Sequence, residues 1–174
     1  MLRLFVGIPL PPEIKLRLSL LCNGVPNATW VDPGNYHVTL RFIGEVDEGT
    51  ASDINAALLQ IRARRFDMVL AGVGEFGQRM LWAGVEKAPA LVHLRDKVES
   101  AMVRTGLPPE ARRYAPHVTL ARLKGKGDVK LQSFLAEHAL FRAEPIPVRQ
   151  FSLIASYLTK SGAIYEDQAD YPLS

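Results

Sequence analysis

A single cysteine, Cys22, is the whole thiol complement of this chain, which excludes an internal disulfide and any cysteine-built zinc site. Lying in an apolar stretch, it reads as a small hydrophobe. No apolar run approaches the roughly 20 residues that a membrane-spanning helix needs. The segment Leu2–Ile8 is too short for the core of a secretory signal, and Pro9, Pro11 and Pro12 follow it directly. We read it as a strand and expect a cytoplasmic protein with no membrane partner. Neither sign of charge is in large excess: 21 Lys and Arg stand against 18 Asp and Glu, a formal net of +3. That balance permits an acidic substrate such as nucleic acid without demonstrating one. Gly/Ser-rich linkers and low-complexity segments are missing too, which argues against two independent domains and for residues 1–174 as one bilobal unit. With 48% hydrophobic and 22% charged residues, the composition is that of an ordinary globular protein.

What the chain does have is a repeated pattern, His37-Val38-Thr39-Leu40 and His117-Val118-Thr119-Leu120. β-branched residues favour strands, and side chains alternate across a strand, so each His shares a face with its Thr. Val and Leu turn to the opposite face, where a core can bury them. A lone H-x-T-x says little, because the wet face of many half-exposed strands carries these residues. Repetition in similar settings says more: Tyr36 and Tyr114 stand near the two motifs, and Pro33 and Pro116 precede them.

Around the motifs the pattern predicts a strand over Leu2–Ile8, then a helix opened by Pro11-Pro12 and running to about Leu21. A short strand near Thr29–Val31 leads through the turn Asp32-Pro33-Gly34-Asn35 into a motif strand that Gly44 should stop. Asp47 suits the N-cap of a helix with the stripe Ala51, Ile54, Leu58 and Ile61. Strands at Phe66–Val73 and Leu81–Val85 should form a hairpin around Gly74 to Gly77. A helix over Pro89–Arg104 precedes the second motif strand, and Asp128 should cap another helix. Strands near Val148–Ala155 and Ile164–Tyr171 close the chain. The order strand, helix, motif strand, helix thus occurs twice. It predicts an α+β fold of two pseudo-symmetric lobes, each an antiparallel sheet with helices, and a cleft at their junction. Strand exchange between lobes is expected across residues 64–90 and near the C-terminus.

Imidazole titrates near neutral pH, so one ring can accept a proton while the other donates one. Two histidines flanking a phosphate suit in-line cleavage, and threonine hydroxyls can bond the non-bridging oxygens. No carboxylate accompanies either motif at ligand spacing, and two histidines alone make a poor metal site, so no metal and no cofactor are expected.

These motifs, with Leu40-Arg41-Phe42-Ile43-Gly44-Glu45 after the first and Ala121-Arg122 after the second, resemble the two-histidine phosphoesterase superfamily. Within it, the chain is similar to the bacterial and archaeal RNA 2′,3′-cyclic phosphodiesterases, historically called 2′-5′ RNA ligases. The likeness extends from Arg3-Leu4-Phe5-Val6-Gly7-Ile8-Pro9 to Ile164-Tyr165-Glu166. It implies a bilobal α+β fold and hydrolysis of a terminal 2′,3′-cyclic phosphate, on RNA ends or small nucleosides, to a 2′-phosphate. It also implies His37 as proton donor and His117 as proton acceptor, with Thr39, Thr119 and Arg122 binding phosphate. Strict alternation from His117 would put Arg122 on the wrong face, so a bulge or strand end is required. Phe5 is a candidate for stacking on a base, with core packing the ordinary alternative.

Other residues read as structural. His93 reads as solvated, His138 as partly buried, and Trp30 and Trp82 as packing residues. Arg62, Arg64 and Arg65 suit a helix end; Arg112 and Arg113 border the expected cleft and are the better contacts for an RNA backbone. Three rival readings stand beside hydrolysis by a monomer. They are the reverse joining of a cyclic phosphate end to a 5′-hydroxyl, a catalytically idle RNA-binding module, and a cyclic phosphodiesterase for a small nucleotide.

Overall fold

Leu4, Val6 and Ile8 are buried on one face of the opening strand and anchor the largest core cluster. In the computed structural model, which describes residues 1–125 and 129–174, the elements follow in this order. They are β1 (Leu2–Pro9), α1 (Pro12–Ser19), β2 (Ala28–Trp30), β3 (His37–Val46), α2 (Glu48–Leu59), β4 (Phe66–Met68), β5 (Leu70–Phe76) and β6 (Met80–Val85). Then come α3 (Pro89–Arg104), β7 (His117–Leu123), α4 (Val129–Glu137), β8 (Ile146–Val148), β9 (Gln150–Thr159) and β10 (Gly162–Pro172). Two four-stranded sheets, ordered β10-β9-β1-β3 and β2-β7-β6-β5, each carry one motif strand, and β4 and β8 form a separate ladder. All pairings are antiparallel. The fold is the bilobal α+β arrangement the repeated order predicts.

One core spans both lobes. Ile14 and Leu18 of α1, Ile54 and Leu58 of α2, and Leu91, Leu94 and Val98 of α3 pack in the same cluster as Val38 and Val118 of the motif strands. A smaller cluster puts Leu131 and Phe134 of α4 against Leu81 and Ala121. Asp47 caps α2 as expected, accepting from the Thr50 N–H at 2.7 Å. The proposed Asp128 cap lies outside the described residues.

Strand exchange occurs at the C-terminus, as expected, and also at β2, which was not expected. β2, from the first half of the chain, pairs with β7 in the second sheet, while β9 and β10, from the second half, complete the first sheet. Of the middle segment only β4 leaves its neighbours. The predicted strands Phe66–Val73 and Val148–Ala155 each divide, because β4 and β8 pair with one another while β5 and β9 join the large sheets. The hairpin turns at Gly77 and Gln78, with φ of 57° and 58°, and not at Gly74. Consecutive positive φ values match the twist of a tight hairpin. Gly74 stays in β5 because the Trp82 ring covers it: a Cβ there would sit 2.3 Å from ring carbons. Gly44 does not end β3; at φ 92° it accommodates an irregular pairing with Leu4, and the strand runs on to Val46.

Candidate active site

The two motif strands carry the same irregularity. On β3, Thr39 pairs with Gly7 and Arg41 with Val6, which leaves Leu40 as an extra residue. On β7, Thr119 pairs with Trp82 and Ala121 with Leu81, which leaves Leu120 extra. A β-bulge reverses the facing of everything after it. Leu40 and Arg41 therefore both turn inward, as do Leu120 and Ala121, and all four are buried. Phe42 and Arg122 then return to the His/Thr side. This is the bulge that Arg122 required to share a face with His117 and Thr119, and its side chain is exposed there.

Both imidazoles are anchored alike. His37 Nδ1 lies 2.8 Å from the Asn35 carbonyl, and His117 Nδ1 lies 2.6 Å from the Ala115 carbonyl. A carbonyl only accepts, so each Nδ1 carries the hydrogen and each neutral ring offers its Nε2 lone pair. His37 Nε2 takes the Thr39 hydroxyl at 2.8 Å, whereas the Thr119 hydroxyl donates to Met80 Sδ at 3.5 Å.

Aromatic rings hold the histidines in place. Phe5 lies 4.5 Å from the His37 ring and Tyr165 lies 5.4 Å from it; Phe76 and Trp82 stand 5.0 and 6.3 Å from His117. A Cβ at Gly7 would come within 3.3 Å of His37 Cδ2, so glycine there leaves room for the ring. Burial pushes His37 down to about 4; the Asn35 carbonyl opposes this, and the positive charges of His117 and Lys15 add to it. The motif strands β3 and β7 lie against each other, which sets the two histidines on one cleft. Burial also raises the Tyr165 phenol, opposed by Arg122 from the second lobe and Arg3 from the first. Beside His37 opens a cavity of about 420 Å³ lined in part by Lys15, Asn35, Tyr165, Glu166 and Asp167.

A polar bridge ties the lobes behind the site. Tyr114 Oη donates to the Thr39 carbonyl at 2.9 Å, and the Arg95 guanidinium lies 5.3 Å from the Tyr114 ring centre. Buried Arg41 pairs with Glu99 at 3.3 Å and donates to the Pro108 carbonyl at 2.6 Å, and Glu99 also accepts from the Glu110 N–H.

The structure thus brings His37, Thr39, Phe5, His117, Thr119 and Arg122 to the cleft. Phe5 is only 4% exposed, its ring held between His37 and Tyr165, so it packs and offers no open face for a base. His93 is exposed, and His138 is half-buried against Phe134. Arg112 and Arg113 are exposed. The sequence reading missed Tyr165 and Phe76, took Trp82 for packing alone, and gave Tyr114 no role. Only the pairing of β5 with β6 and of β10 with β9 brings Phe76, Trp82 and Tyr165 to the site. Among the described residues no three His, Cys, Asp or Glu side chains converge as a metal site.

A histidine and a threonine from each of two facing lobes define a two-histidine phosphoesterase. Within that class, the chain belongs to the 2′-5′ RNA ligase superfamily, whose family model matches residues 31–157. It is 40% identical over 158 residues to the RNA 2′,3′-cyclic phosphodiesterase of Aeropyrum pernix, covering 87% of this chain and 89% of that one. The protein of the same description from Thermotoga maritima is 32% identical over 176 residues, covering 95% and 92%. Among solved structures, E. coli LigT in apo form matches with a TM-score of 0.83 at 25% identity, over 99% of this chain and 98% of that one.

Proposed function

We propose that this protein hydrolyses the terminal 2′,3′-cyclic phosphate of RNA to a 2′-phosphate without a metal ion. The observation that carries this reading is the matched pair of Nδ1-anchored imidazoles in one cleft. Relatives described as RNA 2′,3′-cyclic phosphodiesterases supply the reaction and the substrate class. His117 Nε2 takes a proton from water as its oxygen bonds to phosphorus. The bond from phosphorus to the 3′ oxygen breaks on the far side, and His37 Nε2 gives that oxygen a proton. Thr39, Thr119 and Arg122 hold the non-bridging oxygens, where charge grows. The rings exchange protonation states in each turnover and water resets them. The bilobal unit acts as a monomer in the cytoplasm. Among the described residues no helix is long and apolar enough to cross a membrane.

Purified protein given adenosine 2′,3′-cyclic phosphate in EDTA should yield adenosine 2′-phosphate, identified by phosphorus NMR. A 3′-phosphate product rejects the proposed leaving oxygen. Activity lost in EDTA and restored by zinc or manganese rejects the metal-free reaction.

The pH dependence follows from His37. In the free protein its ring stays neutral until pH falls to about 4. The working state carries one proton on the pair, so the acid limb of kcat/KM should lie near pH 4, below the usual imidazole range, with a second limb on the alkaline side. A bound phosphodiester anion favours the cationic rings, and it is what lets His37 hold the proton it donates. Both limbs of kcat should therefore lie at higher pH than those of kcat/KM. Coincident limbs, or a flat kcat/KM between pH 4 and 9, count against the proposed roles.

A further inference from the structure

Phe42 leaves an aromatic ring open on the first sheet. It pairs directly with Phe5 across β1 and β3, yet Phe42 is 48% exposed while Phe5 is 4% exposed. The bulge at Leu40 is the cause. Without it, Phe42 would point into the core and Arg41 would face the cleft. Burying a phenylalanine is favourable, so a bulge that sends the ring out and a guanidinium in runs against the ordinary preference.

The ring has a cationic companion. Arg3 shares its face of β1 with Phe5, and its guanidinium carbon lies 5.5 Å from the Phe42 ring centre. Arg3 is exposed and makes no ion pair among the described residues, although Glu45 is its cross-strand partner. Its charge also reaches Tyr165, the ring beside His37. Phe42 stands three residues beyond Thr39, roughly 10 Å or less along a strand. A flat apolar face and an unpaired cation, adjoining a phosphate site, match a nucleobase and the phosphate next to it.

We propose that Phe42 and Arg3 form a binding subsite for the nucleotide immediately 5′ to the cyclic phosphate of an RNA end. Its base stacks on Phe42, and the phosphate joining it to the terminal nucleoside meets Arg3. The inference rests on the proposed phosphodiesterase reading and extends it: it makes an RNA chain, and not a mononucleotide, the preferred substrate.

The test compares adenosine 2′,3′-cyclic phosphate with a tetranucleotide ending in the same group, on wild type, Phe42→Ala, Phe42→Leu, Phe42→Trp and Arg3→Gln. The ratio of kcat/KM for tetranucleotide over mononucleotide should fall roughly 5- to 100-fold in Phe42→Ala and Phe42→Leu, the effect of losing one stacked base. It should be kept in Phe42→Trp and fall in Arg3→Gln with a shallower dependence on salt. Phe42→Leu preserves apolar packing, so its loss separates stacking from folding. A ratio unchanged in all variants, or already near one in wild type, overturns the subsite. Should wild type hydrolyse neither compound, the phosphodiesterase reading fails by itself. Fluorescence anisotropy with a labelled tetranucleotide 2′-phosphate then decides the subsite, which falls if Phe42→Ala binds as tightly as wild type.

Discussion

His37→Ala and His117→Ala will each lower turnover of a 2′,3′-cyclic phosphate by at least ~100-fold, the usual scale for a positioned acid or base. Both side chains stand on the cleft side of their strands, while Val38, Leu40, Val118 and Leu120 on the other side carry the burial. Thermal unfolding should therefore move little where turnover collapses. His37→Ala removes ring contacts with Phe5 and Tyr165, so His37→Gln, which fills more of the space, is its control. The double variant should be little worse than either single one, since the two rings act in a single proton relay. Thr39→Val and Thr119→Val should lose less, each deleting one hydrogen-bond donor. Near wild-type turnover in either alanine variant, or unfolding of both it and its glutamine control, would sink the proposed site.

The second large effect is on stability and arises outside the cleft. Arg41→Ala should destabilise the fold by about 3 kcal/mol, because one half of a largely buried ion pair is removed and the other remains. The Arg41 side chain is 7% exposed and that of Glu99 17%. Without Arg41, Glu99 keeps Arg95 at 3.8 Å, and the Pro108 carbonyl loses a guanidinium donor. Arg41→Lys should recover only part of the loss, since an ammonium cannot span Glu99 and Pro108 as the planar fork does. Urea denaturation reads this directly, and a loss below about 0.5 kcal/mol would place the pair among contacts of no consequence. The same network holds the segment leading to His117, so kcat/KM should fall as well.

The motifs were legible because the facing of a strand depends on nothing but period two. His37 with Thr39, and His117 with Thr119, follow from spacing alone. Register is another matter. Whether Leu40 and Leu120 bulge is decided by strands β1 and β6, which pair with them from distant positions. Arg122 could be recognised as needing a bulge, yet Phe42, which the matching bulge exposes, gave no such signal. Arg41 shows the converse: strict alternation would set it on the open face with His37 and Thr39, and only the bulge together with Glu99 explains its burial. Proposed strand boundaries failed where one run serves two partners, as at Met68 to Leu70 and Val148 to Gln150. The lobes themselves were readable from the repeated order. That β2 belongs to the far lobe was not, since three residues of strand carry no mark of their partner.

The pairing of Leu4 with Ala155 has a bearing on how the polypeptide is made. β1 leaves the ribosome before its two partners, and β3 can zip to it soon after. The other edge of β1 has no neighbour until residues beyond 150 have emerged. Until then the nascent chain displays an open, apolar strand edge, the kind of surface that recruits unwanted partners. Loop closure from Leu4 to Ala155 must precede the reward of that ladder, which makes its completion the slow, late event in maturation.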